Sequence, residues 1–120
     1  MSYYQGFVAA VPTDRRDAFV AHAAEAWDAI FKPLGALAQI ETWGDDVPDG
    51  EVTSFPMAVK AQPGETVVFS WIEWPDKATC DAAVATMMSS DFNPGMAAEM
   101  PFDGKRMIFG GFEPVLVKRV

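Results

Sequence analysis

The sequence predicts an α+β protein with the ferredoxin-like order βαββαβ, in which two helices cover one face of an antiparallel sheet. The chain has 120 residues, of which 50% are hydrophobic, so it suits a single domain spanning residues 1–120 with a real core. Apolar runs typical of strands alternate with segments of helical periodicity. The strands are apolar on both faces, so we expect a second copy of the chain to cover the bare face. Two sheets packed in this way would form a dimeric α+β barrel.

The first half of the chain is typical of a strand, a helix and a second strand. Residues Tyr3–Val11 form a nearly continuous apolar run, which indicates a strand buried on both faces. Thr13 or Asp14 then offers an N-cap, and apolar residues recur at helical spacing until Pro33. Residues 36–44 form the second predicted strand.

The second half repeats this order. Residues 52–60 are expected to be extended, and Pro56 places them at a sheet edge or bulge because proline lacks an N–H group. Residues 66–74 are β-branched and aromatic almost without interruption, which predicts the most regular strand. A second helix is predicted at residues 76–89 and the last strand at residues 106–117.

Charge and composition exclude several classes of function. The net charge is −8, and nine cationic residues are scattered among seventeen acidic ones, so we expect neither nucleic acid nor anionic membrane as a partner. No segment reaches the roughly 20 apolar residues of a membrane span. The single cysteine, Cys80, cannot form an internal disulfide, and these features together predict a cytoplasmic location.

No complete catalytic signature is present. The sequence lacks a phosphate-binding loop, a GxGxxG motif and a CxxC pair, and one histidine cannot form HExxH. We therefore predict no cofactor and no metal. That histidine, His22, lies at the edge of the helical stripe and is interpreted as half-exposed surface. Cys80 lies in the first turn of a helix, where the dipole would lower its pKa, and is interpreted as a bystander.

The glycine pair Gly110-Gly111 raises the question of a phosphate-binding loop. Such a loop needs glycines before a helix N-terminus, whereas this pair lies inside an apolar run. We interpret it as part of a buried strand, where glycine lets a helix or the facing sheet approach the backbone. Arg106, at the start of that strand, is a candidate for the edge of a cavity.

Two carboxylates inside apolar strands are the main candidates for chemistry. A charge on a strand with two covered faces is costly, so Glu41 or Glu73 would have a raised pKa if it pointed into a barrel. It could then act as a general base or hold a ligand. At a strand end or edge it would simply be solvated, and both alternatives remain open.

Period-two alternation groups these carboxylates with aromatic residues, but it does not say which strand face is inside. If these alternating residues all lie on the face inside the barrel, the interior is aromatic with a few polar side chains, as in many small-molecule sites. The predicted cavity-lining or ligand-binding residues are Phe7, Glu41, Trp43, Phe69, Trp71, Glu73, Arg106 and Phe109.

Five segments together resemble the YbaA-like bacterial family of unknown function: Gly6–Pro12, Asp46–Thr53, Met57–Ala61, Val67–Glu73 and Met100–Glu113. The resemblance implies a ferredoxin-like dimeric α+β barrel. The wider superfamily includes cofactor-free monooxygenases, muconolactone isomerase-like enzymes and ligand-binding or stress-related proteins. No reaction accompanies the family, so no catalytic residue is carried over. Phe109 stands where the family usually has Tyr, and Thr42 where it often has Cys.

Three functions remain as hypotheses. The first is a homodimeric barrel that binds a small apolar or aromatic molecule without catalysis. The second is a cofactor-independent monooxygenase or isomerase acting in the same cavity, which requires a titratable group inside that cavity. The third is a stress-related interaction protein, which would need no sizeable cavity.

Overall fold

The computed structural model describes residues 1–120 and has the predicted α+β architecture. Four strands form one antiparallel sheet in the order β2-β3-β1-β4, which is consistent with a ferredoxin-like arrangement. The strands are β1 (Tyr3–Pro12), β2 (Ala38–Glu41), β3 (Glu65–Trp74) and β4 (Ile108–Phe112), and the helices are α1 (Arg16–Ala26), α2 (Phe55–Ala58) and α3 (Lys77–Met87). None of these helices is long and apolar enough to cross a membrane.

The two central strands carry the core. β1 and β3 pair along all ten residues of each, from Tyr3 opposite Trp74 to Pro12 opposite Glu65. Their β-branched and aromatic residues suit a pleated surface covered on both sides. Val11 and Trp74 are fully buried on the face that α1 and α3 cover.

Helix α1 begins and ends with unusual turns. A 3₁₀ turn at Thr13–Arg15 leads into it, and a π-helical turn at Trp27–Phe31 follows it. The predicted side-chain N-cap at Thr13 or Asp14 was wrong, because the 3₁₀ turn takes the place of a cap. The Thr13 hydroxyl instead lies 2.7 Å from the Thr66 hydroxyl.

Helix α3 is capped as its sequence suggests, but two details differ. The Asp76 carboxylate accepts a hydrogen bond of 2.7 Å from the Thr79 amide. The helix is shorter than the predicted range of residues 76–89, since Met88 already follows its last residue and is exposed. The expected lowering of the Cys80 pKa was also wrong. Cys80 is buried beside Ile72, and that burial raises the pKa of its thiol.

Residues 52–60 were predicted to be extended, and this was wrong. The Ser54 hydroxyl accepts a hydrogen bond of 3.1 Å from the Met57 amide and caps the short helix α2. Pro56 fits because amides in the first helical turn have no intrahelical partner. Val59, which is 1% exposed, follows α2 and packs against Val67 on the sheet face away from α1 and α3. The chain therefore covers part of its own second face.

The last strand is shorter than predicted, and in the single chain it is mostly exposed rather than buried. It ends at Phe112, since Pro114 removes a backbone donor, and the residues after Pro114 are exposed. Position 111 needs glycine because a tyrosine side chain, rather than a helix or a facing sheet, lies against its backbone. A Cβ atom added at Gly111 would come 2.2 Å from the Tyr3 hydroxyl oxygen.

The part of the second face that α2 leaves uncovered is mostly apolar, although Glu73 also lies on it, opposite Tyr4. The strand register places the following residues on it: Tyr4, Ile40, Phe69, Trp71, Ile108 and Phe112. We call this set the open face. Phe112 is 60% exposed, and Phe69 and Ile108 are each 44% exposed. Its pairing with a second copy of the chain stays a prediction.

Candidate functional site

A cavity of about 220 Å³ lies within the single chain, between α1 and the helix-covered face of the sheet. It is thus on the opposite side of the sheet from the predicted barrel interior. Thirteen of its seventeen lining residues are hydrophobic. Helix α1, the π-helical turn and the strands form its inner walls. The irregular segment between α3 and β4, residues 88–107, forms part of the outer wall with Met96, Met100, Phe102 and Met107.

Four polar side chains line this apolar cavity: His22 from α1, Gln39 and Glu41 from β2, and Ser70 from β3. Strand pairing explains why three of them meet. Glu41 and Ser70 are cross-strand partners, and Gln39 shares their face because it precedes Glu41 by two residues. This arrangement of apolar walls with a few convergent polar groups is typical of small-molecule sites.

Two of these side chains keep an oxygen without a partner. The Gln39 Nε2 donates a hydrogen bond of 3.0 Å to the Ala23 carbonyl, while its Oε1 is buried and accepts none. The Glu41 Oε2 is also buried and accepts none. A buried polar atom without a partner costs about 1–3 kcal/mol, so native proteins keep few of them. Both oxygens are therefore candidates for contact with a bound molecule.

Burial shifts both titratable groups of the cavity towards their neutral forms. It raises the pKa of Glu41, and the neighbouring Ser70 hydroxyl partly opposes this shift. It lowers the pKa of His22, partly opposed by the Glu25 carboxylate. The lowered pKa favours the neutral imidazole of His22, whose ring packs edge-on against Phe102 with 6.2 Å between the centroids.

Two anchors hold the irregular segment over the cavity. At one end, the Glu25 Oε1 on α1 accepts hydrogen bonds from the amides of Ala97 and Ala98. At the other end, the Arg106 guanidinium binds the Glu65 carboxylate through two hydrogen bonds of 2.8 Å. The cavity wall is thus tied both to α1 and to the start of β3.

Arg106, a predicted residue of the cavity edge, does not line the cavity. Besides Glu65, its guanidinium contacts the Asp103 carboxylate at 3.1 Å and the Lys60 carbonyl at 3.0 Å. The side chains of Arg106 and Glu65 are only 20% and 12% exposed. Hydrogen bonding to Arg106 lowers the pKa of Glu65 to about 2. These contacts are structural, joining the segment to the sheet.

The other predicted site residues divide between the two faces of the sheet. Phe7 and Glu41 line the cavity. Trp43 lies on the same side and packs against Phe19 at 5.9 Å between the ring centroids. Phe109 stacks on Phe7 at 6.4 Å between the centroids but is mostly exposed at the sheet edge.

The predicted residues of β3 belong to the opposite face. Phe69, Trp71 and Glu73 lie on the side away from the helices, because their cross-strand partners on β1 face that way. Glu73 is half-buried and accepts a hydrogen bond of 2.6 Å from the Ser2 hydroxyl. The structure therefore does not bring the two strand carboxylates together.

Sequence reasoning missed three polar residues of the cavity. His22 is half-buried, as its position on the stripe suggested, but its contact with Phe102 depends on a segment eighty residues further on. Ser70 had a visible signal, since it is a small hydroxyl residue inside the apolar run of β3. Gln39 could have been grouped with Glu41 by alternation. No group of three or more His, Cys, Asp or Glu side chains could hold a metal ion.

The fold and the cavity define a small α+β protein with a largely apolar pocket between a helix and the sheet. The chain belongs to the family "Protein of unknown function (DUF1428)", whose profile matches residues 2–104 and so covers every cavity-lining residue except Met107. It is similar to "Uncharacterized protein YbaA" of Escherichia coli strain K12, with 54% identity over 116 residues, covering 97% of this chain and 98% of that protein. Proteins of the same name from Escherichia coli O157:H7 and Shigella flexneri show the same identity and coverage. The resemblance to the YbaA-like family is confirmed.

Proposed function

We propose that this protein binds a small, largely apolar molecule carrying a hydrogen-bond donor, in the cavity between α1 and the sheet. The observation that carries the proposal is the pair of buried oxygens without partners, on Gln39 and Glu41, in the wall of that cavity. A ligand N–H or O–H group would satisfy them.

The size and walls of the cavity limit the ligand. An apolar cavity of about 150 Å³ accepts benzene, so about 220 Å³ suits a substituted ring or two small fused rings. No lysine or arginine lines the cavity, so nothing there would balance an anionic ligand. The Glu41 carboxyl would repel such a ligand further whenever it is ionised. A neutral donor is therefore favoured over a carboxylate.

The local backbone is consistent with a binding site. Ile30 and Phe31 reach the cavity wall from the π-helical turn Trp27–Phe31. Such turns are rare and occur frequently at functional sites. The sizeable cavity also favours the hypothesis of ligand binding over that of a stress-related interaction protein, because an interaction protein would need no such cavity.

Three probes, each with two fused aromatic rings, test the proposal at pH 7. 2-Naphthol has a hydroxyl donor, naphthalene has no donor, and 2-naphthoate is an anion. We expect 2-naphthol to bind several-fold more tightly than naphthalene, and 2-naphthoate to bind weakest. Fluorescence titration and calorimetry measure these affinities. Equal affinity for all three probes, or no binding of 2-naphthol, would contradict the proposal.

A pair of substitutions on α1 locates the site. Ala26 is buried and lines the cavity, whereas Ala21 is exposed. Ala26→Leu should fill part of the cavity and weaken 2-naphthol binding at least tenfold, while Ala21→Leu should leave it unchanged. Circular dichroism checks that both variants fold. Unchanged binding by a folded Ala26→Leu variant would place the site elsewhere.

We also propose a homodimer in which two sheets pack face to face, as in a dimeric α+β barrel. The apolar open face supports this proposal.

We propose a cytoplasmic location as well, which is supported by Cys80, a buried free cysteine.

A further inference from the structure

Glu41 lies in the wall between two spaces. One is the cavity described above. The other is a surface groove between α1 and β2, to which Val20, Ala24 and Trp27 contribute. Ala23, Gln39 and Glu41 line both spaces. Val20 and Ala24 are exposed, so the groove opens to solvent.

Glu41 is the only titratable side chain that lines both spaces. His22 lines the cavity alone, and the groove adds no other acidic or basic residue. A proton received by Glu41 from a molecule in the cavity therefore has a route to water through the groove, on the side away from that molecule.

We infer that Glu41 is a general base that removes a proton from a carbon atom adjacent to a carbonyl group of the bound molecule and exchanges that proton with water in the groove. This inference rests on the proposed binding in the cavity. It narrows the ligand class to small, largely apolar ketones or related carbonyl compounds that can enolise, because the enol form of such a compound carries the O–H donor of the proposed ligand.

The chemistry needs no oxidant, reductant or metal. The C–H bond breaks, the proton passes to a Glu41 carboxylate oxygen, and the electron pair forms the C=C bond of an enolate whose charge rests on the former carbonyl oxygen. Returning a proton to the same carbon gives exchange with solvent, and returning it to a conjugated carbon gives an isomer. Ser70 and neutral His22 supply the hydroxyl and N–H donors that line the cavity and can hold the enolate oxygen.

The apolar surroundings of Glu41 favour this role. A carboxylate in such surroundings is a stronger base than one in water, because burial raises the pKa of the group. The Glu41 Oε2 also accepts no hydrogen bond from the protein, so no partner must be displaced before it takes a proton.

The test uses 2-tetralone, a fused two-ring ketone close in size to 2-naphthol, in D₂O. Proton NMR follows the loss of the signals next to its carbonyl group. We expect exchange to be faster with the protein than in buffer alone. The Glu41→Gln variant should reduce the acceleration by a factor on the order of 100. The Glu51→Gln variant, which changes an exposed residue, should leave the rate unchanged. Displacement of 2-naphthol by 2-tetralone measures binding separately.

A second pair of variants tests the groove. Ala24→Trp should fill the groove and slow exchange several-fold while 2-tetralone still binds, and Ala21→Trp should have no effect. The inference would be overturned if 2-tetralone bound without faster exchange, or if a folded Glu41→Gln variant kept the full acceleration. Either result would leave the binding proposal intact. If neither 2-naphthol nor 2-tetralone binds, the binding proposal itself fails. Full exchange in Ala24→Trp would overturn the route through the groove.

Discussion

At the scale of single residues, two carboxylates show that the charge of the neighbouring groups decides the direction of a pKa shift. Glu41 lies in an apolar wall without a cation, so its neutral form is favoured and its pKa is raised. Glu65 binds a guanidinium through two hydrogen bonds, so its charged form is favoured and its pKa falls to about 2. Both differences between the folded and unfolded chain make stability depend on pH, but with opposite signs.

Glu41→Gln should stabilise the protein at neutral pH. Because the folded pKa of Glu41 lies above the unfolded value of 4.5, ionisation opposes folding as the pH rises from about 4.5 through the folded pKa. The melting temperature of Glu41→Gln should match the wild type at pH 4 and exceed it at pH 7–8. Thermal denaturation across this range measures the difference. A lower melting temperature than wild type at pH 7 would contradict the prediction.

Arg106→Ala should destabilise the protein at neutral pH, because it leaves the Glu65 carboxylate shielded without its partner. Glu65 has an unfolded pKa of 4.5 and a folded pKa of about 2, so the ion pair contributes fully above pH 4.5 and is lost as the pH falls towards 2. The melting temperature should therefore drop by several degrees at pH 7, and the deficit should shrink towards pH 2.

The neighbouring substitution Lys105→Ala is the control for Arg106→Ala. The Lys105 side chain is exposed and makes no ion pair, so its removal should leave the melting temperature unchanged at every pH. A deficit in Arg106→Ala that stays constant between pH 7 and pH 2 would show that the ion pair is not its cause.

At the scale of elements, local chemistry overrode the strand pattern in the 52–60 segment. The Ser54 cap and a proline tolerated in the first turn favour a short helix over an extended edge. The segment then returns across the sheet, and Val59 enters the small cluster with Val8, Ala10 and Val67. Val59 and Phe55, whose ring centroid lies 6.0 Å from that of Phe69, hold the segment against the second face of the sheet.

Val59→Ala should therefore lower the free energy of unfolding by about 2 kcal/mol, since it removes two buried methyl groups and leaves a small cavity. Val52→Ala is a matched control in the same segment. Val52 is 95% exposed, so its loss should change stability by less than about 0.5 kcal/mol. Urea denaturation measures both variants, and equal effects would contradict the assignment of Val59 to the core.

At the scale of the whole molecule, the open face is the main unpaired surface. The chain covers only the end of that face that Val59 contacts, and the aromatic residues further along the strands remain in contact with solvent. Contiguous apolar patches of this kind typically mark interaction sites. A face-to-face dimer would bury them by the same principle that buries the core.

Light scattering at micromolar concentration should give twice the 13.1 kDa mass of one chain. Phe112→Asp should shift that mass towards the monomer, because Phe112 lies on the open face and is 60% exposed. Val115→Asp is the control, since Val115 is 93% exposed and lies beyond the last strand. A wild-type mass of one chain would contradict the dimer.

The sequence alone determined the α+β class, the central strands and the family. Long β-branched runs, as in β3, leave few alternatives to a buried strand, and one strand's alternation shows which of its residues share a face. The sequence also singled out Glu41, because a carboxylate inside an apolar strand is costly.

Only the tertiary structure decided which face meets the helices and where the cavity lies. That choice depends on strand register and on contacts between distant segments, such as Glu41 opposite Ser70 and His22 against Phe102. A one-residue change of register would have sent Glu41 to the sheet face away from α1, where Glu73 lies. Short-range sequence patterns do not predict such pairings. The free energy that selects them comes from burying together surfaces that are far apart in the sequence.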